Sequence, residues 1–325
     1  MHPIRFGIFL PTGDVNEAMA SAQRAERDGL YSVSTNDHFF SPLGTAETPQ
    51  LECFTILTAI AAVTSRIRLA PAVAAASFRT PPLLAKIAAT LDHVSRGRLI
   101  MGLGAGWQDK EYSAAGYPFP PLKTRLQQLD ETIQVLKAMW TQPTPNYRGE
   151  HFAIKDLHAN PRTLQQPHPP IMLGGSGTGL LRIAAREATT VNLIPPTGNG
   201  KDFINDKEAT VRFDMAELKR RIALLHQFMG EAGRDPASME LGGLLLLGMS
   251  RDKNNPVLHQ MASNLGFPDY ASAQRAPVAL LGTPDEVKRE IEQRIAATGV
   301  TYYIVFAATP ETHDLLVQDV MPAFS

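Results

Sequence analysis

The stretch Leu99-Ile100-Met101-Gly102-Leu103-Gly104-Ala105-Gly106-Trp107 decides the fold: a short apolar run breaks into three alternating glycines. Upstream, Leu83, Leu84, Ile87, Ala88, Leu91 and Val94 recur at helical spacing, and downstream Leu122, Leu126, Leu129, Ile133 and Leu136 do the same. A buried strand between two amphipathic helices, with glycines at its C-terminal end, is the repeating unit of an α/β protein. Glycines there let backbone N–H groups approach a ligand closely, and phosphate is the usual ligand. Alone, the loop reads equally well as a structural turn.

Outward from this unit the pattern repeats. Residues 4–10 form a first buried strand, and a helix from about Val15 carries Ala18, Ala22 and Ala25 on one face and stops at Gly29. Residues 31–34 are a second strand, 54–64 an alanine-rich helix, and 67–73 a third strand interrupted by Pro71. Pro81 opens the next helix, where its missing N–H costs nothing. After the glycine loop, a segment from about Tyr112 to Pro121 precedes a helix over 122–140. Residues 141–169 are a proline-rich excursion with a short hairpin around Tyr147-Arg148-Gly149-Glu150. Residues 171–173 are a strand, followed by Gly174, Gly175, Gly177 and Gly179, a helix over 180–187 and a strand over 191–194. A helix with Leu218, Ile222, Leu225 and Met229, a strand over 241–249, a helix over 284–297 and a strand over 301–306 close the series. The loop 195–206 and the segment near Asp269-Tyr270 are expected to act as lids.

Eight strands alternating with helices, without an internal linker, predict a single domain over residues 1–325 folded as an α/β (β/α)8 TIM barrel. Insertions are expected in the loops at its C-terminal rim. The alternative is a doubly wound open sheet, which usually places its glycine turn after the first strand rather than the fourth.

Composition narrows the function classes. The 325 residues are 44% hydrophobic and 19% charged, ample for a large core. A net charge of −1 gives no nucleic-acid footprint. The single cysteine, Cys53, excludes an internal disulfide and a cysteine-based zinc site. The opening Met1-His2-Pro3-Ile4-Arg5 has no signal-peptide layout, and no apolar run approaches the roughly 18 residues of a membrane helix. A soluble cytoplasmic protein with no membrane partner is therefore expected. No metal-binding motif is present, and His151 and His168 read as structural.

Three places carry chemistry. The loop Gly102 to Trp107 is not a dinucleotide fingerprint, because Trp107 stands where a last glycine is required. Gly174-Gly175-Ser176-Gly177-Thr178 misses the nucleophile elbow, because Thr178 takes the closing glycine position. After the fourth and fifth strands of a barrel, the two loops stand side by side and together form an anion cradle. Asp37-His38 follows the second strand and so lies on the same rim; a carboxylate beside an imidazole can hold a polar edge and shuttle a proton near neutral pH. Its bland reading is a solvated loop pair. Third, Leu69-Ala70-Pro71-Ala72-Val73-Ala74-Ala75-Ala76 reads either as a bulged strand end approached by something flat or as a strand packed with small residues.

Taken together the chain resembles the luciferase-like monooxygenase superfamily, and within it the oxidoreductases that use the deazaflavin coenzyme F420. The resemblance rests on Gly29-Leu30-Tyr31-Ser32 running into Asn36-Asp37-His38-Phe39, and on Arg79-Thr80-Pro81-Pro82-Leu83-Leu84-Ala85-Lys86 with Ala89-Thr90-Leu91-Asp92. It continues through Ser95-Arg96-Gly97-Arg98, the first glycine loop and Gly116-Tyr117-Pro118-Phe119. Gln166-Pro167-His168-Pro169-Pro170 before Gly174-Gly175, and Gly299-Val300-Thr301-Tyr302-Tyr303, complete it.

The resemblance implies a (β/α)8 barrel, a small-molecule substrate and a homodimer. It implies a non-proline cis peptide at Ala72–Val73 against the deazaflavin ring, with Gly104 and Gly174 among the cofactor-binding residues. The N–H groups of Ala105, Gly106, Trp107, Gly175 and Ser176 would hold the cofactor phosphate, with Lys110 and Glu111 lining that site. Asp37 would contact the ring's polar edge, and His38 would donate or accept the proton. Two departures stand out. Trp107 replaces an acid found in some sugar-phosphate-oxidising relatives, and Ala188-Thr189-Thr190-Val191 stands where many relatives carry Ala-Asp-Gly-Trp. Reduced FMN with O2 is the alternative cofactor chemistry, and would require a flavin reductase partner. A non-catalytic flavin or deazaflavin binder and, more remotely, a metal-dependent barrel hydrolase are the other readings.

Overall fold

The computed structural model describes residues 2–324 except 43, 46 and 197–205. Its strands are β1 (Arg5–Phe9), β2 (Ser32–Thr35), β3 (Arg68–Pro71), β4 (Ala74–Ala75), β5 (Met101–Gly104) and β6 (Tyr147–Arg148). They continue with β7 (Ala153–Ile154), β8 (Ile171–Gly174), β9 (Thr190–Asn192), β10 (Glu240–Met249), β11 (Ala279–Gly282) and β12 (Val300–Ala307). The helices are α1 (Val15–Arg27), α2 (Cys53–Val63), α3 (Pro81–Val94), α4 (Asp109–Ala115), α5 (Leu122–Thr141) and α6 (Thr178–Glu187). After these come α7 (Lys207–Arg212), α8 (Met215–Glu231), α9 (Pro256–Asn264), α10 (Tyr270–Gln274), α11 (Pro284–Thr298) and α12 (Pro310–Leu315).

The main sheet runs β3-β2-β1-β12-β10-β9-β8-β5-β4. It closes because β3 also meets the run into β5: Leu69 and Leu99 form a parallel bridge, and the Ile100 N–H donates to the Leu69 carbonyl at 2.9 Å. Since β4 continues β3 beyond a break, the ring is the expected (β/α)8 barrel. Strand β11 was not foreseen. It pairs with Leu246–Met249 of β10, while Glu240–Gly242 pair with β9. Ahead of the expected segment at 112–121, Asp109–Ala115 form a short helix with Lys110 and Glu111 in its first turn, ended by left-handed Gly116. The hairpin in the proline-rich excursion is present as β6 and β7, held on α5 by Glu131, whose carboxylate accepts the Glu150, His151 and Phe152 N–H groups.

Local signals set the helix ends. Asp14 caps α1 through the Glu17 N–H, and α11 starts on a Thr283–Glu286 capping box with Pro284 in the first turn. On the strands one side packs under the helices, where Leu69, Leu103, Leu173, Val191 and Val305 are buried. The other side fills the barrel interior with Ala70, Ala72, Ile100, Met172, Tyr302 and Ile304. Arg98 ties the turn before β5 to α2, donating to the carbonyls of Ala61, Thr64, Ile67 and Ser95.

Glu26 on α1 organises the entry to β3. Its carboxylate accepts the N–H groups of Ser65, Arg66 and Ile67 at 2.6–2.9 Å. Partial burial acts to raise its pKa, but these three donors outweigh it and hold the group at about 2, from 4.5. A folded pKa below the unfolded one gives stability that is fully present above about pH 4.5 and lost as pH falls towards 2. Glu26→Gln should therefore lower the urea midpoint at neutral pH and flatten its decline across that acid window.

Candidate functional site

At the C-terminal mouth of the barrel, β3 breaks after Pro71 and the Ala72–Val73 peptide is cis, at the position the resemblance implied. The Ala72 N–H donates to the Thr35 carbonyl at 2.8 Å. Beyond the break, Val73 projects towards the ends of β5 and β8. A Cβ at Gly104 would lie 2.7 Å from Val73 Cγ2, and one at Gly174 would lie 2.9 Å from Val73 Cγ1. These two glycines thus have a packing reason that the sequence did not reveal: they make room for the bulge that presents Val73 to the mouth.

Asp37 sits differently from its expected role at a ligand edge. Its carboxylate makes a bidentate pair with Arg79 at 2.8 and 2.9 Å and accepts the Ala75 N–H at 3.0 Å. Burial acts to lower the Arg79 pKa, but Asp37 and Glu52 outweigh it, so the guanidinium stays charged. Asp37 is 5% exposed and its oxygens are engaged, so it braces the strand end from behind. A sequence reading sees no link between residues 42 apart.

His38 is held at the rim by Glu111. Its Nδ1 lies 2.8 Å from Glu111 Oε2, and Glu111 also accepts the Phe39 N–H. Glu111 is fully buried. Expected to line the phosphate site, it turns its carboxylate to His38. A carboxylate on Nδ1 selects the tautomer with the proton on that nitrogen, leaving Nε2 as the acceptor. Trp107 packs edge-on to the imidazole, ring centroids 5.3 Å apart. His38 and Asp37 also line a groove of about 900 Å3 between α2 and α3, bordered by Phe39 and Leu83.

Both glycine loops are gripped by arginines from behind. Arg125 donates to the Gly106 carbonyl and, at 3.4 Å, to the Ala105 carbonyl. In a trans peptide the C=O and the following N–H point in opposite directions, so the Gly106 and Trp107 N–H groups turn away from Arg125. Tyr112 packs under the same loop, its hydroxyl where a Cβ on Gly106 would fall, and bonds Ser77 at 2.6 Å; burial pushes its phenol up to about 12, so it stays neutral. On the second loop, Arg221 donates to the Ser176 carbonyl at 3.2 Å.

One expected phosphate contact is corrected here: the Gly175 N–H is engaged with the Asn192 carbonyl at 2.9 Å. The Ser176 hydroxyl donates inward to the Ile194 carbonyl. Just beyond, α6 begins at Thr178 on Gly177 with no side-chain cap. Its first-turn N–H groups suit an anion. Lys110 is exposed on the first turn of α4.

The mouth fits a flat, phosphate-bearing cofactor on two structural grounds: the glycine-cleared seat around Val73, and two buried interior oxygens without partners, Ser34 Oγ and Asn192 Oδ1. Among the described residues no group of His, Cys, Asp and Glu could hold a metal, and no helix is long and apolar enough to cross a membrane. Of the expected lids, most of 195–206 lies outside the described residues. Asp269 caps α10 through the Ser272 N–H, and Tyr270 stacks on His259.

A family model described as luciferase-like monooxygenase matches residues 2–302. An uncharacterised protein of Mycobacterium tuberculosis is 36% identical over 191 residues, covering 54% of this chain and 66% of that protein. The FMNH(2)-dependent dimethylsulfone monooxygenase of Pseudomonas putida is 31% identical over 173 residues, covering 53% and 47%. Each match spans less than two thirds of the curated relative. The structure of coenzyme F420 dependent tetrahydromethanopterin reductase from Methanopyrus kandleri superposes with a TM-score of 0.79 at 20% identity over the whole of both chains, a likeness of fold. The barrel, the bulged strand and the match over nearly the whole length place this chain in the luciferase-like monooxygenase family, whose members are oxidoreductases or monooxygenases.

Proposed function

We propose that this protein is an oxidoreductase that transfers a hydride between coenzyme F420 and a small organic substrate. The observation that carries this reading is the His38–Glu111 pair at the barrel mouth, with Nδ1 on a buried carboxylate at 2.8 Å. Hydride transfer to a carbonyl, or from an alcohol, needs a proton moved to or from the substrate oxygen. An imidazole with an oriented Nε2 is suited to that task near neutral pH. When bound, the deazaflavin supplies the carbon that takes or gives the hydride. The chain supplies the rest. Val73, with Gly104 and Gly174, would form the seat, the N–H groups of Gly106, Trp107 and the first turn of α6 would receive the phosphate, and Trp107 packs beside His38. Holding both reactants in one geometry is the larger part of such catalysis.

Reduced FMN with O2 is the second reading, favoured by the FMNH(2)-dependent relative at 31% identity; the same cradle accepts its phosphate. Turnover assays separate the two. The protein should oxidise or reduce F420 with a panel of small alcohols and carbonyls under anaerobic conditions. Product formation that needs O2, reduced FMN and a flavin reductase would overturn the deazaflavin reading. We also propose a homodimer, formed across the groove between α2 and α3, where Leu83 is 53% exposed.

A further inference from the structure

We propose that Ser34 and Asn192 hold the hydrogen-bonding edge of the cofactor ring: the pyrimidinedione edge, one N–H flanked by two carbonyls, which flavins and deazaflavins share. This rests on the cofactor reading above. It also fills the place left by Asp37, whose carboxylate is engaged by Arg79 and Ala75.

Strand alternation puts both residues inside the barrel. On β2, Ser32 meets the Tyr302 hydroxyl at 2.6 Å in the interior, and Ser34 lies two residues further towards the mouth on the same face. On β9, Thr190 bonds Glu240, which pairs with Arg5, and Asn192 again lies two residues further on. The strand neighbours of Asn192 are Gly174 and Gly242, which have no side chains to partner its amide. Val73 stands over Gly174 at the same level, so the amide lies beside the proposed seat.

The surroundings sharpen the point. Apolar side chains on the inner face near the mouth include Phe9, Leu244, Ile304 and Phe306, with the rings of Phe9 and Phe306 4.1 Å apart. Within this apolar lining, Ser34 Oγ and Asn192 Oδ1 are buried and have no partner. Buried polar atoms are normally satisfied, and a few placed polar groups in an apolar pocket fix a ligand's orientation. Asn192 Oδ1 suits the ring N–H as acceptor, and the Ser34 hydroxyl suits a ring carbonyl as donor.

The test is equilibrium binding of F420, FMN and FMN methylated at the ring N–H, followed by fluorescence. Asn192→Leu and Ser34→Ala should each weaken F420 and FMN by about tenfold, the range of one lost hydrogen bond. Methylation should weaken binding to the unmodified protein by a similar factor and cost little more in Asn192→Leu, a coupling that a purely structural asparagine would not produce. Unchanged affinities in both variants, or the same methylation penalty with and without Asn192, would overturn the proposal. Where Asn192→Leu does not fold, Asn192→Ala makes the same comparison. Failure of the unmodified protein to bind either FMN or F420 would instead remove the cofactor reading on which the proposal stands.

Discussion

His38→Ala should lower kcat by about 10²–10⁴-fold, the usual contribution of a positioned acid or base, while cofactor affinity changes little. The split follows from the geometry. The imidazole is anchored from Glu111 and packs on Trp107, whereas the proposed phosphate donors and the Val73 seat belong to other loops. Glu111→Gln is the companion variant. An amide preserves volume but can present its NH2 to Nδ1, which reverses the tautomer and turns Nε2 from acceptor to donor. It should reproduce much of the loss in kcat with the protein still folded. Full turnover in His38→Ala with cofactor bound would remove His38 from the chemistry.

Gly102→Ala carries the largest expected effect on stability. A Cβ there would overlap the Pro71 carbonyl oxygen and lie 3.0 Å from Met172 Cε. The methionine end can move; the Pro71 backbone cannot, because β3 pairs with β2 through Thr35 and Pro71, and Gly102 pairs with Met172 in β8. Overpacking against fixed backbone costs 1–3 kcal/mol or more, and about 3 kcal/mol or above is expected here, measured by urea unfolding. Gly230→Ala is the control. It lies on α8 with nothing within 4 Å of a new Cβ, so it should gain up to about 1 kcal/mol from helix propensity.

Much of the fold was legible because barrel strands are short apolar runs punctuated by proline and glycine, and the intervening helices carry a clear apolar stripe. Strand β11 escaped because four residues inside a long connection give no periodicity to read, and it adds to β10 rather than to the ring. The site was legible as a place more than as an arrangement. Gly102, Gly104 and Gly174 announce a close approach, but only the structure shows that Pro71 and Val73 are what approaches. Asp37 and His38 are adjacent in sequence yet serve different partners, Arg79 and Glu111, at separations of 42 and 73 residues. Asn192 and Ser34 carry no signal at all, since a polar residue at a strand end is ordinary until its missing partner is seen. Arg125 and Arg221, which turn the two loops outward, were equally silent because long-range capture of carbonyls leaves no local pattern.

The most direct measurement is a fluorescence titration of the purified protein with F420 and, separately, with FMN. Saturable binding of F420, tighter than that of FMN, is the predicted result. Preferential binding of FMN, or no binding of F420, would contradict the account.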